Sequence, residues 1–209
     1  MSILVAIDPG SQQSGVVIVR ESDAHVLHKA IMNNGDVIPN CISMVSGRNC
    51  QGNYEFVVEM PMSYGMPVGR EVFQTMFWIG RFCEQLSNCG VVLRYLGRKA
   101  IVATLCGDSK GTDSNVRRGV IECYPATGGG SEPAVGTKKQ PGPLYGISGD
   151  MWSALALAVV SLKRGSGSLK TCGDYGGEGD AVVEGVLSEI KEEFATVGLF
   201  TEEDFSEKV

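Results

Sequence analysis

Residues Ile3–Val19 read ILVAIDPGSQQSGVVIV, and the fold turns on how this stretch is taken. Five apolar residues, Ile3 to Ile7, run straight into Asp8. A continuous apolar run of that kind predicts a strand buried on both faces of its sheet. Asp8-Pro9-Gly10-Ser11 is turn chemistry, and the β-branched run from Val16 to Val19 then predicts a hairpin. A carboxylate closing a core strand is costly to bury unless it is paired or holds a cation. Its bland role would be to open an Asx-turn.

Working outward, the pattern recurs. A third strand-like run spans His25 to Met32, followed by a turn at Asn33-Asn34-Gly35 and a short helix from Asp36 with Pro39 in its first turn. Tyr54–Met60, YEFVVEM, again ends an apolar strand with an acid, Glu59. The loop MPMSYGMPVG (60–69) carries large side chains, Met62, Tyr64 and Met66. From Arg70 to Asn88 apolar residues recur at helical spacing, including Val72, Phe73, Met76, Phe77, Ile79 and Cys83. Val91–Leu96 predicts a fifth strand, and helices follow over 100–106 and from Thr112 or Asp113 to about Cys123. Residues 124–149 form a long Gly-rich loop, of the kind that is functional or mobile in a small domain. Asp150 then opens an almost wholly apolar, buried helix, DMWSALALAVV, where capping is its bland role.

Composition narrows the function classes. The chain has 209 residues, enough for one domain with a sizeable core. There is no apolar run of membrane-spanning length and no signal-peptide pattern, so a cytoplasmic location is expected. Seven cysteines without a CxxC pair read as reduced, mostly core residues. The net charge of −6 is uneven: residues 173–209 carry −9 and residues 1–172 carry +3. The expected organisation is one folded domain over 1–164, a Gly/Ser-rich linker over 165–179 and an acidic amphipathic tail over 180–209. That tail is expected to be a helix packed by its apolar stripe.

Asp8, Glu59 and Asp150 each stand where a buried element meets a loop. If strands one and four are adjacent and parallel, the two strand acids leave the same carboxyl edge, where α/β sheets bind ligands. Clustered carboxylates suit Mg²⁺ or Mn²⁺, and two such ions about 4 Å apart can clamp the attacking and leaving oxygens of a phosphodiester.

IDPGSQQSG followed by a β-branched strand, FVVEMP, and DMWSALALA resemble the three motifs of RuvC-type Holliday junction resolvases. The likeness covers roughly residues 3–164. VVEMPMSYGMPVGREVFQTMFWIGRF and GTKKQPGPLYG look closest to bacteriophage and prophage forms. It implies an α/β, ribonuclease H-like five-stranded mixed sheet flanked by helices, here with a C-terminal acidic helix. It also implies a homodimer that cuts branched, four-way-junction DNA with two Mg²⁺ or Mn²⁺ ions per site and no membrane partner. By position, the resemblance implies that Asp8 would bridge both metals, that Glu59 would hold one metal and orient the attacking water, and that Asp150 would ligate the other. The family's further acid, one turn after the third carboxylate, is Ser153 here, so that position offers only a neutral ligand. Tyr64 or Met62 would wedge into the junction, and the helix from Arg70, with Phe77 and Trp78, would form the dimer interface. Phosphate contacts are expected from Lys138 and Lys139, then Arg117, Arg118, Arg98, Lys99 and Arg70. Competing readings keep the fold but act on RNA–DNA hybrids or flaps, or make the chain a catalytically silent DNA-binding scaffold. Sugar-kinase-like ATPases share an IDxG start, but MPMSYG after Glu59 is not their second phosphate loop.

Overall fold

The computed structural model describes residues 2–46, 54–62, 67–91, 93–107, 110–165 and 170–171. Tyr64 and the acidic tail 180–209 lie outside these residues, as does most of the 165–179 linker.

A mixed sheet forms the centre. Its strands are β1 (Ile3–Pro9), β2 (Gln13–Arg20), β3 (Val26–Asn33), β4 (Tyr54–Met60), β5 (Leu93–Gly97) and the two-residue β6 (Lys170–Thr171), in the order β3-β2-β1-β4-β5-β6. The first five are those the sequence predicts. β6 falls inside the stretch read as linker and pairs antiparallel with β5. β1 and β2 are an antiparallel hairpin, and β1 and β4 run parallel with Ile7 opposite Val58. β1 is central, which is why Leu4, Val5, Ala6 and Ile7 are all buried.

The helices are α1 (Asn34–Ser46), α2 (Arg70–Asn88), α3 (Arg98–Cys106), α4 (Asp113–Ile121) and α5 (Met151–Arg164). α5 lies across β1 and β2, with Ala154 to Ser161 all buried. Small residues on this helix let it sit close to the sheet. α4 starts at a Thr112 cap, whose hydroxyl accepts from the Asn115 amide.

α2 buries Thr75, Ile79, Phe82 and Leu86, whereas Phe73, Met76 and Phe77 are exposed, so this helix has a second apolar face turned outward. Two expectations need correction. The described cysteines are neither all reduced nor mostly core: Cys83 is disulfide-bonded, and Cys89 and Cys123 are exposed free thiols. The 125–149 segment is not a loose loop. Gly128 donates to the Pro133 carbonyl at 2.8 Å, Gly129 to Gln140 at 2.9 Å and Gly142 to Val135 at 3.0 Å. Gly128, Gly136 and Gly142 meet backbone atoms so closely that no Cβ fits, and Ala134, Leu144 and Ile147 anchor the segment in the core.

Candidate active site

Asp8 and Glu59 follow the paired residues Ile7 and Val58, so both leave the same end of the parallel β1–β4 pair. The turn after Asp8 is fixed from beneath. Buried Ser14 donates to Asn34 Oδ1 at 2.7 Å, and Asn34 Nδ2 donates to the Gly10 carbonyl at 2.9 Å. Asp150 arrives from the other direction, at the start of α5, and its side chain makes no capping hydrogen bond, which leaves the carboxylate for other work.

Asp8 also faces Gly15 across the hairpin, and a Cβ on Gly15 would lie 2.5 Å from the Asp150 carbonyl oxygen. Only glycine permits this approach, and it brings the third acid to the rim.

The electrostatics show that the three acids share one region. Burial, then the Glu59 and Asp150 charges, push the Asp8 carboxyl from 3.8 up to about 7, against the pull of Arg98 and a hydrogen bond from Ser153. Glu59 is likewise raised, first by burial and then by Asp113, with Arg98 opposing. Arg98 Nη1 stands 3.7 Å from Glu59 Oε2, an ion pair beyond hydrogen-bond reach, and this buried oxygen accepts no hydrogen bond. Arg98 Nη2 donates to Asp113 Oδ1. The acids thus feel one another but do not converge on a point. Among the described residues, no three His, Cys, Asp or Glu side chains close around a position that would hold a metal ion.

The other expected residues are distributed as follows. Lys138 and Lys139 are exposed in the 125–149 segment, and Arg70 is exposed on a groove shared with Ser11, Phe73, Gln74, Phe77 and Trp78. Arg117 is not free for phosphate. It grips Glu132 with both terminal nitrogens, at 2.9 and 2.5 Å, and its guanidinium lies 4.7 Å from the Trp152 ring centre. Arg118 pairs with Glu122 at 4.0 Å, and Lys99 is exposed. Met62 is exposed and reaches toward Gly97. Sequence reasoning missed Gly15, Ser14, Asn34 and Asp113, and placed Arg98 among the weaker phosphate contacts.

The Thermus thermophilus RuvC structure superimposes with a TM-score of 0.58 over 81% of this chain and 99% of that one, at 16% identity. The chain has the RuvC fold. The structure of T. thermophilus RuvC in complex with Holliday junction substrate matches similarly, with a TM-score of 0.57 over 82% of this chain and 99% of that one, at 15% identity. No family model and no curated protein sequence matches the chain. The RuvC-like, ribonuclease H-like α/β sheet flanked by helices is therefore the architecture that the motifs imply. No described helix is long and apolar enough to cross a membrane.

Proposed function

We propose that the chain is a divalent-metal-dependent endonuclease that hydrolyses phosphodiester bonds in branched DNA, of the phage RuvC type. What supports this reading is that Asp8, Glu59 and Asp150, from three separated parts of the chain, stand near enough at one sheet rim for the Glu59 and Asp150 charges to act on Asp8.

The donor set fits Mg²⁺ or Mn²⁺. The ligands are hard oxygens, Glu59 Oε2 is buried without a hydrogen bond, and Asp8 is strained by two like charges. A bound divalent ion would polarise the phosphoryl group and make water a better nucleophile. Asp8 and Asp150 would hold it, with Glu59 orienting water at the rim. Lys138 and Lys139 would contact phosphates, which position the DNA without reading its sequence. The outward apolar face of α2, carrying Phe73, Met76 and Phe77, supports pairing of two copies, as a cut on two strands requires.

The test is cleavage of a four-way junction, compared with linear duplex and RNA–DNA hybrid, in Mg²⁺ or Mn²⁺. Junction cutting is expected, and Asp8→Asn should lower it by at least about 10³-fold while leaving junction binding intact. Cutting that survives in Asp8→Asn would remove the site assignment. A preference for hybrid would transfer the fold to the ribonuclease reading.

A further inference from the structure

β4 and β5 run parallel with Glu59 opposite Leu96, so Arg98, the first residue of α3, leaves the sheet at the edge where Glu59 stands. Its guanidinium lies between two carboxylates. Nη1 is 3.7 Å from Glu59 Oε2, and Nη2 donates to Asp113 Oδ1 at the start of α4.

Folding stability alone would favour the other partner. The Glu59 side chain is 14% exposed, whereas that of Asp113 is 92% exposed. A buried carboxylate oxygen without a hydrogen bond is costly, and a charge-assisted bond from a neighbouring arginine removes that cost. An ion pair on an exposed carboxylate contributes little to folding. Yet Arg98 bonds the exposed acid, and Glu59 Oε2 is left buried and unbonded a short movement away. Asp113 does not stabilise Glu59 directly, because the two act on each other as like charges. Nor is it needed to cap α4, since the Thr112 hydroxyl accepts from the Asn115 amide there. A buried polar atom kept without a partner calls for an explanation in function.

Resting on the nuclease reading, we infer that Asp113 is a positioning residue: it holds the Arg98 guanidinium out of hydrogen-bond reach of Glu59, and so keeps Glu59 Oε2 open to accept from the attacking water. Without the Asp113 carboxylate, Arg98 closes on Glu59 and takes the acceptor that the water needs. Asp113 acts only through Arg98.

The experiment compares the full chain with Asp113→Asn, Asp113→Glu and a combined Asp113→Asn, Arg98→Ala variant, each checked for folding by circular dichroism. Crystal structures at one pH read the Arg98–Glu59 distance. In Asp113→Asn, Nη1 should move from 3.7 Å to hydrogen-bond distance from Glu59 Oε2, about 2.8 Å. Cleavage of a four-way junction should lose about tenfold in kcat, the low end for a residue that orients a ligating group, with KM unchanged. Asp113→Glu, which keeps the carboxylate, should restore both the distance and kcat. The combined variant should regain kcat relative to Asp113→Asn, because no guanidinium remains to close on Glu59. An Arg98–Glu59 distance that stays at 3.7 Å in Asp113→Asn overturns the inference. So does a loss of kcat that the combined variant does not reduce, or a change confined to KM. No cleavage by the unaltered chain overturns the nuclease reading, and the distance in Asp113→Asn still decides whether Asp113 holds Arg98 off Glu59.

Discussion

Gly15 and Asp150 are in backbone contact: a methyl group on Gly15 would lie 2.5 Å from the Asp150 carbonyl oxygen and 2.7 Å from its carbonyl carbon. Gly15 also pairs with Asp8 across the hairpin, so one glycine sets the spacing between the first and third acids. Gly15→Ala must push the start of α5 away from the sheet. Overpacking of this kind costs about 1–3 kcal/mol. Urea denaturation should show that loss, and Mn²⁺ should bind the variant more weakly. A variant that unfolds and binds Mn²⁺ like the parent would show that this contact does not position Asp150.

The reach of sequence reasoning differs from residue to residue for physical reasons. Asp8 and Glu59 are legible because a carboxylate after an unbroken apolar run conflicts with burial, and the conflict is visible locally. Gly15 is not, because a small residue just before a β-branched run signals nothing until the helix that presses on it is placed. Arg98 and Asp113 are 15 residues apart in different helices, so their bond exists only in the folded chain. On α2, periodicity reveals apolar residues but cannot tell which of two apolar stripes faces the sheet, and Phe77 falls on the outer one. Glycines in 125–149 read as looseness, yet at Gly128, Gly136 and Gly142 the missing Cβ is what lets backbone pack on backbone.

Stability should fall with rising pH in the absence of metal. Burial and the Glu59 and Asp150 carboxylates raise Asp8 from 3.8 to about 7 in the folded chain. The folded state then binds this proton more tightly than the unfolded state. Its contribution is complete below about pH 4 and is lost as the pH climbs to 7. Glu59 is raised as well and acts in the same direction. A shift of this size corresponds to about 4 kcal/mol at full strength, and the partial exposure of Asp8 reduces it to roughly 1–3 kcal/mol. Melting temperatures between pH 4 and 7.5 should therefore decline more steeply for the parent than for Asp8→Asn. Mn²⁺ at pH 7.5 should recover the parent and not the variant. Parallel pH curves would contradict the like-charge strain assigned to Asp8.

Lys138 and Lys139 are exposed on a segment tied to the core, which would give the proposed phosphate contacts a rigid mounting. Each phosphate neutralised by a lysine contributes about 0.9 to the slope of log affinity against log salt on duplex DNA. Changing both to alanine should lower the slope for a four-way junction by nearly 2 and weaken binding to all sequences alike. An unchanged slope would remove both from the interface.

Arg117 ties the 125–149 segment to the helices. Its fork on Glu132 and its stack on Trp152 join that segment to α4 and α5. The Arg117 and Glu132 side chains are 37% and 46% exposed, so the ion pair is worth at most about 1 kcal/mol, and the ring contact adds about 0.5–1 kcal/mol. Arg117→Ala should cost about 1–2 kcal/mol in denaturant unfolding. It should also speed amide exchange at Gly129, Thr137 and Gly142, whose hydrogen bonds close the segment. Arg117→Lys keeps the charge but loses the planar fork, so it should behave more like alanine than like the parent. Exchange that stays slow in both variants would mean that the glycine backbone contacts hold the segment unaided, and would return Arg117 to the set of side chains free to meet phosphate.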